Sequence, residues 1–296
     1  MIIVSGTDSR SSHMISKLVL QPRVALAIKT RPLMAGPLGV YNDAMTLEVW
    51  AVFIAAVFVG SYLQSLIGFG MGLIVVAVGS LAGGIDFNML TAAVSLFTFF
   101  NIIVALKGQG RFIDKLMVFH LAIGQFPAIG IGLVLLHHLS QHAVALLELL
   151  LGCFLFTSSV LMVRQPRPAL SRAGAPACLL AGAAAGLTGG LFSASGPVMG
   201  WFAYRQPLTL ETIRATLLSF FAIACVVRTA MVGISGGLNQ DVLALAGFAI
   251  PVAMIGAWLG LVVKPPLREE QLKRTVFILL IAMATYIMFG AIGKIS

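Results

Sequence analysis

The sequence predicts an all-α polytopic membrane protein made of two inverted repeats, each a broken helical hairpin (re-entrant or short) followed by three transmembrane helices. Three observations predict it. The first is composition. Of 296 residues, 59% are hydrophobic and only 10% charged, and the mean hydropathy is +1.02. A soluble domain carries about 25% charged residues. Apolar runs of about 20 residues, long enough to cross a bilayer, recur along the chain. The second observation is a pair of breaks inside apolar sequence, Gly68-Phe69-Gly70-Met71-Gly72 and Gly190-Leu191-Phe192-Ser193-Ala194-Ser195-Gly196-Pro197. The third is repetition. Gly60 and Gly68 recur as Gly182 and Gly190, 122 residues on. Ser95-Leu96-Phe97 recurs as Ser219-Phe220-Phe221, and Pro127 and Gly132 as Pro251 and Gly256, each 124 on. A near-constant offset over landmarks of different type is the signature of duplication.

The elements follow in chain order. Residues 1–44 stand apart, being polar, basic (Arg10, Lys17, Arg23, Lys29, Arg31) and interrupted by Pro22, Pro32 and Pro37. They show no clean cleavage signal. A disordered tail, an amphipathic arm on the membrane surface and an over-long start all stay open. Met45, immediately before the first apolar run, is the alternative start. The first repeat occupies 45–163, with apolar segments at 47–67, 71–84, 87–106, 112–136 and 141–163. Residues 164–175 are rich in Arg and Pro and read as a cytoplasmic linker. The second repeat occupies 176–296, with segments at 176–189, 197–204, 212–232, 242–263 and 273–292. The stretch 176–204 is too short for two full crossings with a break between them, so it reads as re-entrant. The first hairpin is longer and has room to cross twice.

Basic residues set the orientation. They cluster at Lys107/Arg111/Lys115, Arg164/Arg167/Arg172, Arg205/Arg214 and Lys264/Arg268/Lys273/Arg274. Placing all four clusters in the cytoplasm obeys the positive-inside rule. The first hairpin then starts and finishes outside and the second inside, so the halves run oppositely. Short, Gly/Pro-interrupted segments at corresponding places in two inverted halves point to a transporter's binding site. The net charge of +9 has this topological origin and implies no nucleic-acid partner.

A break deep in lipid leaves backbone groups unpaired unless it is buried in protein or lines a cavity. The helix that restarts there aims free N–H groups and a partial positive charge at the cavity. The two breaks therefore read as two halves of an anion site. Its candidates are Gly68, Gly70 and Gly72 from the first break and Ser193, Ser195 and Gly196 from the second. Helix packing through Gly182-x-x-x-Gly186-x-x-x-Gly190, a small-xxx-small face, explains Gly182 and Gly186 as small-residue contacts. It does not explain the hydroxyls and consecutive helix breakers beyond them.

Polar groups inside apolar runs are costly and so are further candidates. Gln64 adjoins the first break; Asn101, Gln125 and Arg228 lie in later helices. Arg228 either balances an anionic substrate or anchors its helix at the outer interface. Glu148 and His120 are the candidates for proton coupling. His137, His138 and His142 fall in an outer loop with no companion ligands, so no metal site is expected. Cys153, Cys178 and Cys225 lack metal-ligand spacing and read as core residues. No Walker loop, Ser-His-Asp order or metalloprotease motif occurs, and neither a cofactor nor an enzymatic activity is expected.

The stretches Gly60–Gly72 and Gly182–Pro197, with the Pro-x-x-x-x-Gly pairs at Pro127/Gly132 and Pro251/Gly256, resemble the sulfite exporter TauE/SafE family. The resemblance spans about Met45 to Ile292. It implies a permease of the bacterial inner membrane that moves sulfite, sulfonates or other small organic anions, often outward. There are two departures: the first half lacks a proline after its Gly-rich run, and Phe192-Ser193-Ala194-Ser195 replaces a run of glycines. The second departure implies side-chain as well as backbone donors. The expected function is a secondary transporter working by alternating access on a small anion, sulfite or an organosulfonate first. An anion channel and a non-transporting membrane subunit are the alternatives. The expected partners are that anion and the lipid bilayer, with a homodimer left open.

Overall fold

The computed structural model describes residues 47–164, 169–263 and 269–295. The N-terminal stretch 1–44, the middle of the 164–175 linker, and Lys264 and Arg268 lie outside the described residues. Within them the regular structure is all helical: α1 Leu47–Ile67, α2 Met71–Ala82, α3 Phe87–Ala105, α4 Lys115–His142, α5 Val144–Val163, α6 Ala175–Phe192, α7 Gly196–Tyr204, α8 Leu210–Ile234, α9 Gln240–Val262 and α10 Glu269–Ile295. One turn of 3-10 helix at Gly110–Phe112 joins α3 to α4. Eight helices are long and apolar enough to cross a membrane; the exceptions among the described helices are α2 and α7. The chain is a multi-pass membrane protein.

Helix starts are set by local chemistry. Asp86 caps α3 through Met89 N, and Asp114 caps α4 through Met117 N. Thr209 and Asn239 cap α8 and α9 in the same way. A side-chain oxygen at these positions satisfies an N–H that has no partner within the helix. By contrast, the N-cap residues of α2, α5, α6 and α7 supply no side-chain cap.

Glycine governs the main packing. A Cβ on Gly182 would strike the Leu121 carbonyl, one on Gly186 the Gln125 carbonyl, and one on Gly190 the Ile129 carbonyl. Each step of four along α6 matches a step of four along α4, so the two helices run parallel with backbones in contact. In α9, Gly256 meets Phe58 and Ser61, and Gly260 meets Tyr62 and Ser65. This makes α1 and α9 a second parallel pair. Helix α5 packs on α10, and α3 packs on α8 and α9. Helix α3 runs antiparallel to α8: Thr91 near its start meets Arg228 near the end of α8.

The basic segments gather at one end. Arg172 pairs with Asp114, Ala169 N donates to Arg205 O, and Asp114 N donates to Thr216 Oγ1. Both arms of the α6–α7 hairpin thus end together. The tip of α6 lies beside Gly132, well inside the 28-residue α4.

Two expectations are corrected. Helix α6 does not stop at Gly190 but continues to Phe192, because Gly186 and Gly190 serve the contact with α4 rather than the break. The helix α4 likewise runs on past Leu136 to His142. His137, His138 and His142 therefore sit in its last turns, with the rings of His138 and His142 stacked 4.6 Å apart, rather than in a loop.

Candidate functional site

The two breaks meet. Gly68 and Gly70 take φ of +86° and +120°, the left-handed region that glycine alone enters freely. They turn the chain from α1 into α2. Ser193 takes φ +54° and ends α6, its N–H donating to Gly189 O at 2.9 Å. Across the junction a Cβ on Gly72 would collide with the Ser193 carbonyl, and one on Gly196 would press on Phe69. Nothing larger than glycine lets these two turns come this close.

Between them lies a cavity of about 40 Å³. Its lining includes Gln64, Gly70, Gly72, Ser193, Ser195, Gly196 and Arg228 from the sequence-predicted set. The starts of α2 and α7 both face it. The first backbone bonds of these helices are Ile74 N to Gly70 O and Met199 N to Ser195 O. The N–H groups of Gly72, Leu73 and Val198 thus precede the helical ladder, as the first donors of any helix do. Pro197 supplies no donor.

Two side chains complete the wall. Gln64, 3% exposed, accepts from Met71 N through Oε1 at 3.2 Å. Its Nε2 has no hydrogen-bond partner among the described residues. Arg228 is also 3% exposed. It donates to Thr91 O at 2.6 Å, to Ser95 Oγ at 2.7 Å and to Gly190 O at 3.3 Å. These partners are carbonyl and hydroxyl dipoles. Among the described residues no carboxylate pairs with it, so a full positive charge is buried without a counter-ion. This burial replaces the interface-anchor reading.

The other candidates fall elsewhere. Gly68 packs on the backbone of Arg214, outside the cavity lining. Asn101 donates to Ser61 O and Ala253 O at 3.3 Å, joining α3 to α1 and α9. Gln125 is buried against α6, away from the lining, and neither amide atom has a described partner. Glu148 pairs at 2.7 Å with Lys294, tying α5 to α10. His120 is half-exposed and bonds Leu116 O on its own helix.

Sequence reasoning missed Ser95, Thr98 and Cys225 as lining residues. A signal for the first two exists. Thr91, Ser95, Thr98 and Asn101 recur every three or four residues, so they form one polar stripe along an apolar helix.

Short helices that start at a cavity with buried polar side chains in its wall, inside a bundle of membrane-spanning helices, are the architecture of a membrane transporter. The chain belongs to the sulfite exporter TauE/SafE family, which it matches over residues 52–287. It is 35% identical over 234 residues to a probable sulfite/organosulfonate exporter TauE of Cupriavidus necator, covering 79% of this chain and 91% of that protein. No solved structure matches it.

Proposed function

We propose that the protein is a secondary transporter that exports a small anion, sulfite or an organosulfonate, by alternating access between two inverted repeats. One observation carries this reading: Arg228, a buried cation without an acidic partner among the described residues, lines the same cavity as the starts of two short helices and Gln64, whose Nε2 has no described partner. Removing a charge from water costs several kcal/mol unless a partner compensates. Dipoles compensate in part, and a bound anion would complete the compensation. The relative's printed substrates suit the site. A sulfite or sulfonate head spreads its charge over several oxygens, each an acceptor for an N–H donor.

The helix pairing supports the repeat, and the antiparallel run of the equivalent helices α3 and α8 supports its inversion. Exchanging the halves maps the α4–α6 pair onto α9–α1, and both pairs are parallel. The same exchange maps the α2–α10 contact onto α7–α5. The gathered basic segments support a cytoplasmic location for that end.

The test is counterflow of labelled sulfite in proteoliposomes. Saturable exchange is expected for the unaltered protein. Arg228→Met should abolish it. Arg228→Lys, which keeps the charge but loses the fork, should lower it roughly ten- to a hundredfold. Folded protein that exchanges no sulfite or sulfonate overturns the proposal, and linear, non-exchanging flux would make the protein a channel.

A further inference from the structure

Arg228 spends most of its donors on the protein. A guanidinium has five N–H groups. Nη1 donates to Thr91 O at 2.6 Å and to Ser95 Oγ at 2.7 Å, and Nε and Nη2 each donate to Gly190 O at 3.3 Å. That leaves one N–H, on Nη2, for a direct bond to anything else. Arg228 also borders a second, large cavity of about 770 Å³. This cavity lies between the start of α3, the end of α4 and the α8–α9 link, at the end of the bundle away from the basic segments, with Asp86, His137, Gln141 and Asn239 in its wall. Where the charge acts therefore depends on the groups that Arg228 holds.

Ser95 is the group that hands the charge on. It is 1% exposed. Its Oγ lies within hydrogen-bond distance of three partners: Arg228, Thr91 O at 3.1 Å and Ser193 Oγ at 3.0 Å. A serine has one hydrogen to give. Arg228 can only donate, so Ser95 accepts from it. Thr91 O already takes the helical bond from Ser95 N within α3 and the Arg228 bond at 2.6 Å, which fill its two lone pairs. Ser193 Oγ is the acceptor with room, so the hydrogen of Ser95 goes there.

Ser193 then keeps its own hydrogen for another partner. Its hydroxyl has none besides Ser95 among the described residues. The side chain is half-buried at the junction of the two breaks, in the wall of the small cavity and not of the large one. Were Ser95 to donate to Thr91 O instead, Ser193 would donate to Ser95 and turn only lone pairs to an anion.

We propose that Ser95 is a positioning residue for the transported anion. It relays Arg228 to Ser193, so that each donor points one way: Arg228 to Ser95, Ser95 to Ser193, Ser193 to an oxygen of the anion. Hydrogen bonds in such a chain polarise one another, so the Ser193 hydroxyl is both aimed and strengthened. Sulfite and sulfonate heads are served alike, since both present oxygen acceptors. This rests on the reading of the small cavity as the anion site.

A double-mutant cycle on anion binding tests it. Sulfite and methanesulfonate are titrated calorimetrically into purified protein in detergent, and whichever binds the unaltered protein more tightly carries the cycle. Ser193→Ala should weaken binding roughly tenfold, the worth of one good hydrogen bond. Ser95→Ala should weaken it roughly three- to fivefold, because a Ser193 hydroxyl that is no longer aimed still reaches the anion. With Ser193→Ala already present, Ser95→Ala should change binding by less than about twofold, since nothing remains to aim. A serine that only steadies Arg228 would cost the same in both backgrounds. That result, or no effect of Ser95→Ala in the parent, overturns the relay while leaving the anion site standing. Folded, unaltered protein that binds neither anion overturns the site, and the relay with it. Ser95→Cys, close in size and a weaker donor, should fall between the parent and Ser95→Ala. It takes the place of Ser95→Ala in the cycle if thermal unfolding shows that the alanine variant does not fold.

Discussion

Ser193 is, among the described residues, the one non-glycine residue in left-handed backbone. That conformation costs a side-chain-bearing residue of order 1 kcal/mol. Glycine would fit without strain, so the serine is present for its hydroxyl, which meets Ser95 Oγ. Ser193→Gly separates the two roles. It relieves the strain but loosens the unfolded chain, so stability should stay within about 1 kcal/mol of the parent. Sulfite counterflow should fall roughly two- to tenfold, the range for one neutral hydrogen bond. Thermal unfolding beside counterflow reads both, and unaltered exchange would mean that the hydroxyl has no part in transport. The same scale shows where sequence reasoning stopped. Gln64, Asn101, Gln125 and Arg228 look alike in sequence, each a polar group in an apolar run. Only their partners distinguish them. Asn101 spends its amide nitrogen on two backbone carbonyls of neighbouring helices, whereas Gln64 spends its Oε1 on Met71 N and leaves its Nε2 without a described partner in the wall of the cavity. Burial cost explains why such residues are rare, and it is silent on what satisfies them.

At the scale of the element, the glycine stripe of α6 sets how closely the second hairpin lies on α4. A Cβ on Gly186 meets the Gln125 backbone, which cannot step aside as a flexible side chain can. Gly186→Ala should therefore destabilise the protein by about 1–3 kcal/mol through overpacking. Gly290→Ala in α10, where a Cβ meets nothing within 4 Å, should be neutral or stabilise by a few tenths to about 1 kcal/mol. Denaturation of the two variants in detergent compares them directly; equal stability would remove the backbone contact as the reason for the stripe. Most of the helices were legible to within a few residues, since their extents follow from the apolar runs; their exact starts were not, because they are set by the caps Asp86, Asp114, Thr209 and Asn239. The first break was legible because Gly68 and Gly70 both turn the chain. The second was displaced by two residues, because a glycine kept for close packing reads the same as one kept for bending. Only the neighbour that touches it tells them apart.

The whole molecule joins these scales through its two ends. The repeat offsets and basic clusters were legible in the sequence because both are one-dimensional patterns. The parallel α1–α9 and α4–α6 pairs were not, since nothing in a single helix names the partner it lies against. With the pairs in hand, the ends become distinguishable. One gathers Arg111, Lys115, Arg172 and Arg205, while the other gathers Asp86, Gln141, Ser235 and Asn239 around the large cavity. With the basic end in the cytoplasm, as the positive-inside rule predicts, the large cavity would open outward, on the release side of an exporter. Single cysteines in a background free of native cysteines check this. Ser235→Cys should react with a membrane-impermeant maleimide on intact cells. Arg205→Cys should react only once the membrane is opened. The reverse pattern would turn the large cavity towards the cytoplasm, making it the side from which substrate is loaded.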